Sequence, residues 1–190
     1  MTSDPWLNRW LPLLKERAKT GVVLEIGCGS GTDTATLADL GLTVHAFDLC
    51  ESAVQAARLR SPLAIIECRD VRASLPIQRA EVVVASLSLH YFPWQETVAI
   101  EQRIRDVLRP NGVLICRLNS TEDHHFGASG HPMIEPNYFL VDGQPKRFFD
   151  KASVEQLFNR GWRYLSLEHR VTDKYLKPKA AWEVVLERDA

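Results

Sequence analysis

The sequence predicts an α/β domain built around a mostly parallel sheet with helices on both faces. Short apolar runs alternate with helix-like segments from residue 22 to residue 118, and nearly continuous apolar strands are typical of a sheet that is covered on both sides. The chain has 190 residues, of which 45% are hydrophobic and 25% charged. This size and composition fit one well-filled globular domain and are short for two.

The elements are expected in the following order. An amphipathic helix opens the chain within residues 1–18, because five apolar residues share one helical stripe: Trp6, Leu7, Trp10, Leu13 and Leu14. Five apolar strands follow, at 22–26, 43–47, 63–68, 81–87 and 112–118. Helices are predicted after the first, second and fourth strands, at 32–41, 52–60 and 94–108.

The regular alternation stops after Leu118. Residues 119–149 are rich in Gly, Pro, Asn, Asp and His and show neither a helical nor a strand period. We interpret this insertion as a structureless loop that acts as a lid, anchored by four aromatic residues: Tyr138, Phe139, Phe148 and Phe149. A helix at 151–161 and an antiparallel pair of strands at 162–169 and 180–187 complete a single domain over residues 1–190.

Charge and local composition exclude several classes of function. The net charge of -1 provides no field for nucleic acid, and the first 21 residues lack the pattern of a secretory signal. No apolar run reaches the length of a membrane span, so we expect a cytoplasmic protein. The cysteines, at positions 28, 50, 68 and 116, have no CxxC spacing, which favours reduced, packed thiols over a zinc site or disulfides.

Three glycines alternate with single residues directly behind the first strand, at Gly27, Gly29 and Gly31. A glycine-rich turn of this kind lets a ligand approach the backbone and the start of the next helix. The spacing is GxGxG rather than the GxGxxG of dinucleotide folds. Glu25 precedes the turn and suits an ammonium group better than a pyrophosphate, since a carboxylate repels phosphates.

Two further acids follow neighbouring strands. Asp48 ends the second strand, where an acid in doubly wound folds accepts hydrogen bonds from ribose hydroxyls. Asp70 follows the third strand, where a carboxylate could accept from the exocyclic amino group of adenine. Each acid alone could be a helix cap. The ordered set of Glu25, the glycines, Asp48 and Asp70 predicts a nucleoside site at the carboxyl edge of the sheet.

These stretches together resemble the class I S-adenosylmethionine-dependent methyltransferases, and within them small bacterial enzymes grouped with tellurite-resistance methyltransferases. The matching stretches are LEIGCGSG, AFDLCESAV, CRDVR, VVVASLSLHYF and VLRPNGVLICRLN. The resemblance implies a doubly wound, mostly parallel seven-stranded Rossmann-like sheet with an antiparallel edge hairpin, and S-adenosyl-L-methionine as cofactor. It implies a cofactor site formed by Glu25, Gly27, Gly29, Gly31, Asp48, Leu49, Asp70, Val71, Ser86 and Leu87.

Candidates for the methyl-acceptor side follow the fourth and fifth strands. They are His90, Tyr91, Asn119 and His124, although His90 could equally be a packing residue. The adjacent Asp123, His124 and His125 do not converge on one ion, so no metal site is predicted. Four basic residues could receive an anionic acceptor, but they read more simply as solvated surface charge: Lys146, Arg147, Lys177 and Lys179.

The leading hypothesis is therefore a methyltransferase that acts on a small-molecule acceptor. The fourth strand ends in ASLSLHYF and lacks the Asp/Asn-Pro-Pro-aromatic signature of enzymes that methylate adenine or glutamine nitrogens, which disfavours nucleic acid and protein amides. The alternative is a catalytically silent S-adenosylmethionine-binding regulatory or partner protein. A nicotinamide-dependent reductase is disfavoured by Glu25 and by the glycine spacing.

Overall fold

The computed structural model describes residues 5–19, 21–173 and 176–190. Its central sheet has seven strands in the order β3-β2-β1-β4-β5-β10-β9. These strands are β1 (Val22–Ile26), β2 (Thr43–Asp48), β3 (Ile65–Cys68), β4 (Ala80–Ser86), β5 (Leu108–Asn119), β9 (Trp162–Thr172) and β10 (Lys179–Arg188). The helices are α1 (Leu11–Arg17), α2 (Thr32–Asp39), α3 (Glu51–Arg60), α4 (Trp94–Val107) and α5 (Lys151–Leu157).

The sheet confirms the predicted fold class. Strands β1 to β5 pair in parallel, whereas β10 runs antiparallel to both β5 and β9, which forms the expected edge hairpin. The doubly wound order begins at β1, with β2 and β3 on one side and β4 and β5 on the other. Such a reversal of strand order opens a crevice at the carboxyl ends of the strands, where ligands bind in open α/β sheets.

Two apolar layers cover the sheet. One contains Ile100 and Ile104 of α4 and Val154 of α5, and the other contains Leu14 of α1 and Leu37 of α2. Strand β4 lies between the layers, and its residues 82–85 are completely buried. This burial on both faces explains why the strand reads as a continuous apolar run rather than an alternating one.

Several predicted boundaries shift. The opening segment is a 3₁₀ helix over Pro5–Trp10 followed by α1, and residues 1–4 of the predicted helix lie outside the described residues. Strand β5 begins at Leu108, with residues 109–112 bulging out between two pairs that join it to β4. Asn111 in this bulge has φ +62°, a turn conformation that asparagine tolerates.

The prediction that residues 119–149 have no regular structure was wrong. They contain a 3₁₀ turn at His124–Phe126 and a three-stranded antiparallel sheet made of β6 (Met133–Glu135), β7 (Tyr138–Val141) and β8 (Gln144–Arg147). Strands this short give too few residues for an alternating pattern to be visible in the sequence. We call residues 119–149 the insertion from here on.

Candidate functional site: the carboxyl edge of the sheet

The three glycines of the turn after β1 have different roles. A Cβ atom on Gly27 would lie 2.4 Å from Cβ of Ser88, and one on Gly31 would lie 2.8 Å from Cα of Ala57 in α3. A Cβ atom on Gly29 would meet nothing within 4 Å. Gly27 and Gly29 line the large cavity described below, whereas Gly31 does not. Gly31 therefore serves helix packing rather than the direct ligand contact that the sequence suggested.

Asp48 joins the turn to the end of β2. One carboxylate oxygen accepts a hydrogen bond of 2.9 Å from the Gly29 N–H, and the other accepts one of 2.9 Å from the Cys50 N–H. These bonds hold the carboxylate at the cavity wall, next to the exposed Leu49. A carboxylate oxygen accepts more than one hydrogen bond, so Asp48 can also receive hydroxyl groups from a ligand.

A cavity of about 1070 Å³ opens at the carboxyl ends of the first four strands. Its wall contains seven of the ten residues that the sequence assigned to the cofactor: Gly27, Gly29, Asp48, Leu49, Asp70, Val71 and Leu87. The insertion supplies the opposite wall through Tyr138 and residues 144–146. We call this space the large cavity.

Asp70 reaches the large cavity already paired. Arg72 makes a salt bridge of 2.6 Å with its Oδ2 and donates its own backbone N–H to Oδ1 at 2.8 Å. These hydrogen bonds lower the pKa of the Asp70 carboxyl. Arg72 also lines the cavity and was not anticipated, because an arginine two residues after an acid is common on exposed turns.

Glu25 does not line the large cavity. Its carboxyl is buried behind the glycine turn, where the Thr34 hydroxyl of α2 donates a hydrogen bond of 2.6 Å to it. Burial raises the pKa of Glu25 to about 8. The structure therefore gives Glu25 a partner within the fold, and its contact with a ligand ammonium group stays a prediction.

Ser86 and Leu87 end β4 in different ways. Ser86 does not line the large cavity, and its hydroxyl oxygen accepts hydrogen bonds from the Arg117 guanidinium at 2.9 and 2.7 Å. Leu87 has φ +54°, an uncommon conformation for a residue with a side chain, and it lines both the large cavity and a second cavity beside it. The chain is therefore bent after β4, where these two cavities meet.

A second cavity of about 180 Å³, the small cavity, adjoins the large one. It contains three of the four predicted acceptor-side residues: His90, Tyr91 and Asn119. The His90 and Tyr91 rings lie 4.1 Å apart between centroids. His90 is buried, its Nδ1 has no hydrogen-bond partner among the described residues, and burial lowers its pKa to about 3.

His124, the fourth candidate, is not part of this arrangement. His124 and its neighbour His125 are both exposed on the 3₁₀ turn, and neither residue lines a cavity described above. Asp123 instead turns inward and binds Lys179. Within residues 5–19, 21–173 and 176–190, the structure shows no group of three or more His, Cys, Asp or Glu side chains that could hold a metal ion.

Lys179 and Arg147 are not the solvated surface charges that the sequence suggested. Lys179 is buried, and its Nζ donates hydrogen bonds of 2.7 Å to Asp123 and 3.0 Å to Asn119. Arg147 is also buried and binds Glu135 and the carbonyl oxygen of Phe92. Lys177 is exposed, as expected, and Lys146 lies half-buried in the walls of both cavities.

The insertion is fastened to the end of β4. The Tyr138 hydroxyl donates a hydrogen bond to the Tyr91 carbonyl oxygen at 2.9 Å, and the backbone N–H of Arg147 donates one to the His90 carbonyl oxygen at 2.7 Å. Tyr138, Phe148 and Phe149 are buried, as predicted for anchors, while Phe139 is only half-buried. Tyr138 also lines the large cavity, a role that its position within an irregular segment did not indicate.

All four cysteines are free thiols, but only two are packed. Cys28 and Cys116 are buried as expected, whereas Cys50 and Cys68 are exposed. The expectation was wrong for this pair because both residues lie at the carboxyl ends of their strands, Cys50 two residues after β2 and Cys68 at the last position of β3. Cys50 lines the large cavity.

Comparisons with known proteins agree with this arrangement. A family model described as a methyltransferase domain matches residues 23–112. A carboxy-S-adenosyl-L-methionine synthase from Aeromonas salmonicida is 31% identical over 102 residues, which are 48% of this chain and 40% of that protein. The chain therefore matches about two fifths of the length of this curated relative.

Solved structures extend the likeness to the whole chain. An S-adenosylmethionine-dependent methyltransferase from Methanosarcina mazei superposes with a TM-score of 0.80 at 16% identity, over 100% of this chain and 99% of that one. The CcbJ methyltransferase from Streptomyces caelestis superposes with a TM-score of 0.75 at 18% identity, over 98% of this chain and 91% of that one. TehB from Haemophilus influenzae superposes with a TM-score of 0.72 at 14% identity, over 96% of this chain and 62% of that one.

These likenesses support S-adenosyl-L-methionine as the cofactor. In the part of the chain that the structure describes, no helix is long and apolar enough to cross a membrane. At such identities the solved structures show the fold, and the family model covers the strands that form the cavity. A methyltransferase-domain family model thus matches residues 23–112, and the chain as a whole has the Rossmann-like fold of the solved methyltransferase structures.

Proposed function

We propose that this protein is an S-adenosylmethionine-dependent methyltransferase that acts on a small-molecule acceptor. The observation that carries the proposal is the junction of the two cavities at Leu87 and Tyr91. The large cavity has the residues that a nucleoside needs, and the small cavity opens from it beside the end of β4. A donor and an acceptor could thus lie next to each other.

The residues of the large cavity fit the cofactor. Gly29 leaves an open space that any side chain would enter, and Asp48 is held as a hydrogen-bond acceptor for ribose hydroxyls. Leu49 and Val71 provide apolar surface on which an adenine ring could pack. The buried Ser88 hydroxyl, which has no partner among the described residues, lines the same wall and could bind a polar group of the ligand.

When bound, the cofactor supplies a methyl group on a sulfonium sulfur, which is transferred by in-line displacement. The protein then has to bring the acceptor atom to roughly 3 Å from the methyl carbon in a site from which water is excluded. His90 and Tyr91 are positioned for this at the junction, and the insertion covers it through Tyr138 and Lys146. Asn119, held by Lys179, lines the far side.

Three finer points belong to the same proposal. The acceptor is a small molecule because the small cavity has a volume of about 180 Å³, with Phe126 and Lys146 of the insertion in its wall. Membership of the tellurite-resistance-like group is a prediction of the sequence motifs, and the TehB superposition supports it only at the level of the fold. A cytoplasmic location is likewise a prediction of the sequence.

The experiment that tests the proposal is an acceptor screen with isotopically labelled methyl donor, read by mass spectrometry. We expect one class of metabolite to gain the label and S-adenosylhomocysteine to accumulate with it. Binding of the donor without label transfer to any member of a broad metabolite extract would favour the catalytically silent alternative. Failure to bind the donor would reject both.

A further inference from the structure

The small cavity has an excess of positive charge that the fold does not neutralise. Two lysines line it, Lys146 from β8 and Lys179 from β10, and no aspartate or glutamate of the described residues does. The rest of its wall comes from two polar residues, His90 and Asn119, and from Leu87, Tyr91 and Phe126. The cavity therefore combines ammonium groups with apolar and aromatic surface.

Lys179 is already paired. Its Nζ lies 2.7 Å from Asp123 Oδ2, and the other oxygen of Asp123 accepts the Ala180 N–H at 3.1 Å. The Asp123 side chain is fully buried. The Asp123 carboxylate therefore neutralises the charge of Lys179, and Asp123 does not line the small cavity.

Lys146 is the uncompensated charge. No hydrogen bond or ion pair joins its ammonium group to another described residue, although it lies half-buried in the cavity wall. Its field reaches both His90 and Lys179, whose pKa values it helps to lower. His90 is consequently neutral at ordinary pH, so the excess charge of the cavity is that of one ammonium group.

The arginines nearby do not change this balance. Arg147 points to Glu135 and two carbonyl oxygens, and Arg117 points to Ser86 and lies over the Trp6 ring. Neither lines the small cavity. A guanidinium fork for a phosphate is therefore missing from the wall, and one ammonium group matches a singly charged anion better than a doubly charged one.

We propose that the small cavity binds a carboxylate group of the methyl acceptor, with Lys146 as its ionic partner and Leu87, Tyr91 and Phe126 against its apolar body. That the bound carboxylate belongs to a methyl acceptor rests on the proposed function, but carboxylate binding by the small cavity can be tested separately. The acceptor class is then a small, partly apolar or aromatic carboxylic acid.

The test uses the full chain, saturated with S-adenosylhomocysteine, and four probes followed by NMR titration: benzoate, its uncharged isostere benzamide, phenyl phosphate and acetate. We expect benzoate to bind about tenfold or more tightly than benzamide, because it alone of the two carries a negative charge that forms an ion pair with the ammonium group. Acetate should bind more weakly than benzoate, since it lacks the ring. Phenyl phosphate should bind no better than benzoate.

Variants assign the preference to one residue. Lys146→Met should remove the preference for benzoate over benzamide, and Lys146→Gln provides a second uncharged side chain if the first variant does not fold. Lys15→Met is the matched control, because it removes the same charge from the exposed face of α1. The control should keep the full preference.

Equal binding of benzoate and benzamide, or an unchanged preference in a folded Lys146 variant, would overturn the proposal. Tighter binding of phenyl phosphate would overturn its assignment to carboxylates. Calorimetry of S-adenosylhomocysteine on the same samples separates this from the proposed function. A Lys146-dependent preference without S-adenosylhomocysteine binding would reject the methyltransferase assignment and retain the anion site.

Discussion

The Thr34 hydroxyl donates a hydrogen bond of 2.6 Å to Oε2 of Glu25, and both side chains are buried. The contact ties the end of β1 to the first turn of α2 behind the glycine turn. Burial, with the nearby charges of Asp33 and Asp48, raises the pKa of Glu25 from its ordinary value of 4.5 to about 8. This residue is therefore mostly protonated in the folded protein at neutral pH.

Glu25 should make stability depend on pH in an unusual direction. Between pH 4.5 and about 8 the folded state keeps a proton that the unfolded state loses, so this contribution is complete below 4.5 and is lost as pH rises through 8. In the wild type this proton makes the free energy of unfolding fall with rising pH by at most about 1.4 kcal/mol per pH unit. In Glu25→Gln that fall should be absent. Urea unfolding at several pH values measures it.

The matched control is Asp39→Asn, which changes an exposed carboxylate at the end of α2. Its slope should equal that of the wild type. If the free energy of unfolding has the same pH dependence in Glu25→Gln and in the wild type, Glu25 is ionised in the folded state. An ionised Glu25 would be able to bind an ammonium group of a ligand.

Gly29 and Gly31 should respond differently to alanine. In Gly31→Ala the new Cβ meets the backbone of Ala57 at 2.8 Å in a left-handed conformation, so we expect a loss of stability above about 2 kcal/mol. In Gly29→Ala only the backbone strain of about 1 kcal/mol opposes folding, since the methyl group enters open space. We propose that the cofactor occupies that space, so the affinity for the cofactor should fall instead.

Thermal unfolding and calorimetry with S-adenosylhomocysteine separate these two effects. Full cofactor affinity in Gly29→Ala would remove this glycine from the site. A greater loss of stability in Gly29→Ala than in Gly31→Ala would contradict the division of roles within the turn.

Asp48→Asn should weaken cofactor binding by about 1–3 kcal/mol, because a charged acceptor for the ribose hydroxyls is lost. Asparagine retains one oxygen for the Gly29 or Cys50 N–H, so the turn should still fold. Asp39→Asn again serves as control, with wild-type affinity expected. Unchanged affinity in a folded Asp48→Asn variant would place the ribose elsewhere.

The insertion should gain protection from hydrogen exchange when ligand binds. Its base is already fixed by Phe148 and Phe149, so the slowing should concentrate in β7 and β8, which line the large cavity through Tyr138 and Lys146. A lid excludes water and completes the acceptor site on closure. Equal protection over residues 119–149 with and without S-adenosylhomocysteine would identify a permanently packed surface segment.

The central sheet could be predicted from the sequence because its inner parallel strands, such as β1 and β4, are buried on both faces. Strand β4 shows this in its apolar run at residues 82–85. The small sheet of the insertion could not, because β6, β7 and β8 are three or four residues long and expose side chains such as Met133 and Leu140. Periodicity needs longer elements to be seen.

The cofactor side of the site was more predictable than the acceptor side. Asp48 and Asp70 follow strands whose carboxyl ends meet at one edge, so their place in the sequence fixes their place in the fold. Lys146 and Tyr138 reach the cavities through the packing of the insertion, which no local pattern records. Glu25 shows the remaining limit, since its strand can be predicted from the apolar run whereas its contact with the Thr34 hydroxyl cannot.

The central claim is that the large cavity binds S-adenosylmethionine. Calorimetric titration of the full chain with S-adenosylhomocysteine, and in parallel with reduced nicotinamide adenine dinucleotide, tests it most directly. The large cavity is predicted to bind one S-adenosylhomocysteine per chain and no nicotinamide cofactor, with the affinity reduced in Asp48→Asn. A folded protein that gives no binding heat with S-adenosylhomocysteine over a range of temperatures, or one that prefers the nicotinamide cofactor, would contradict the account.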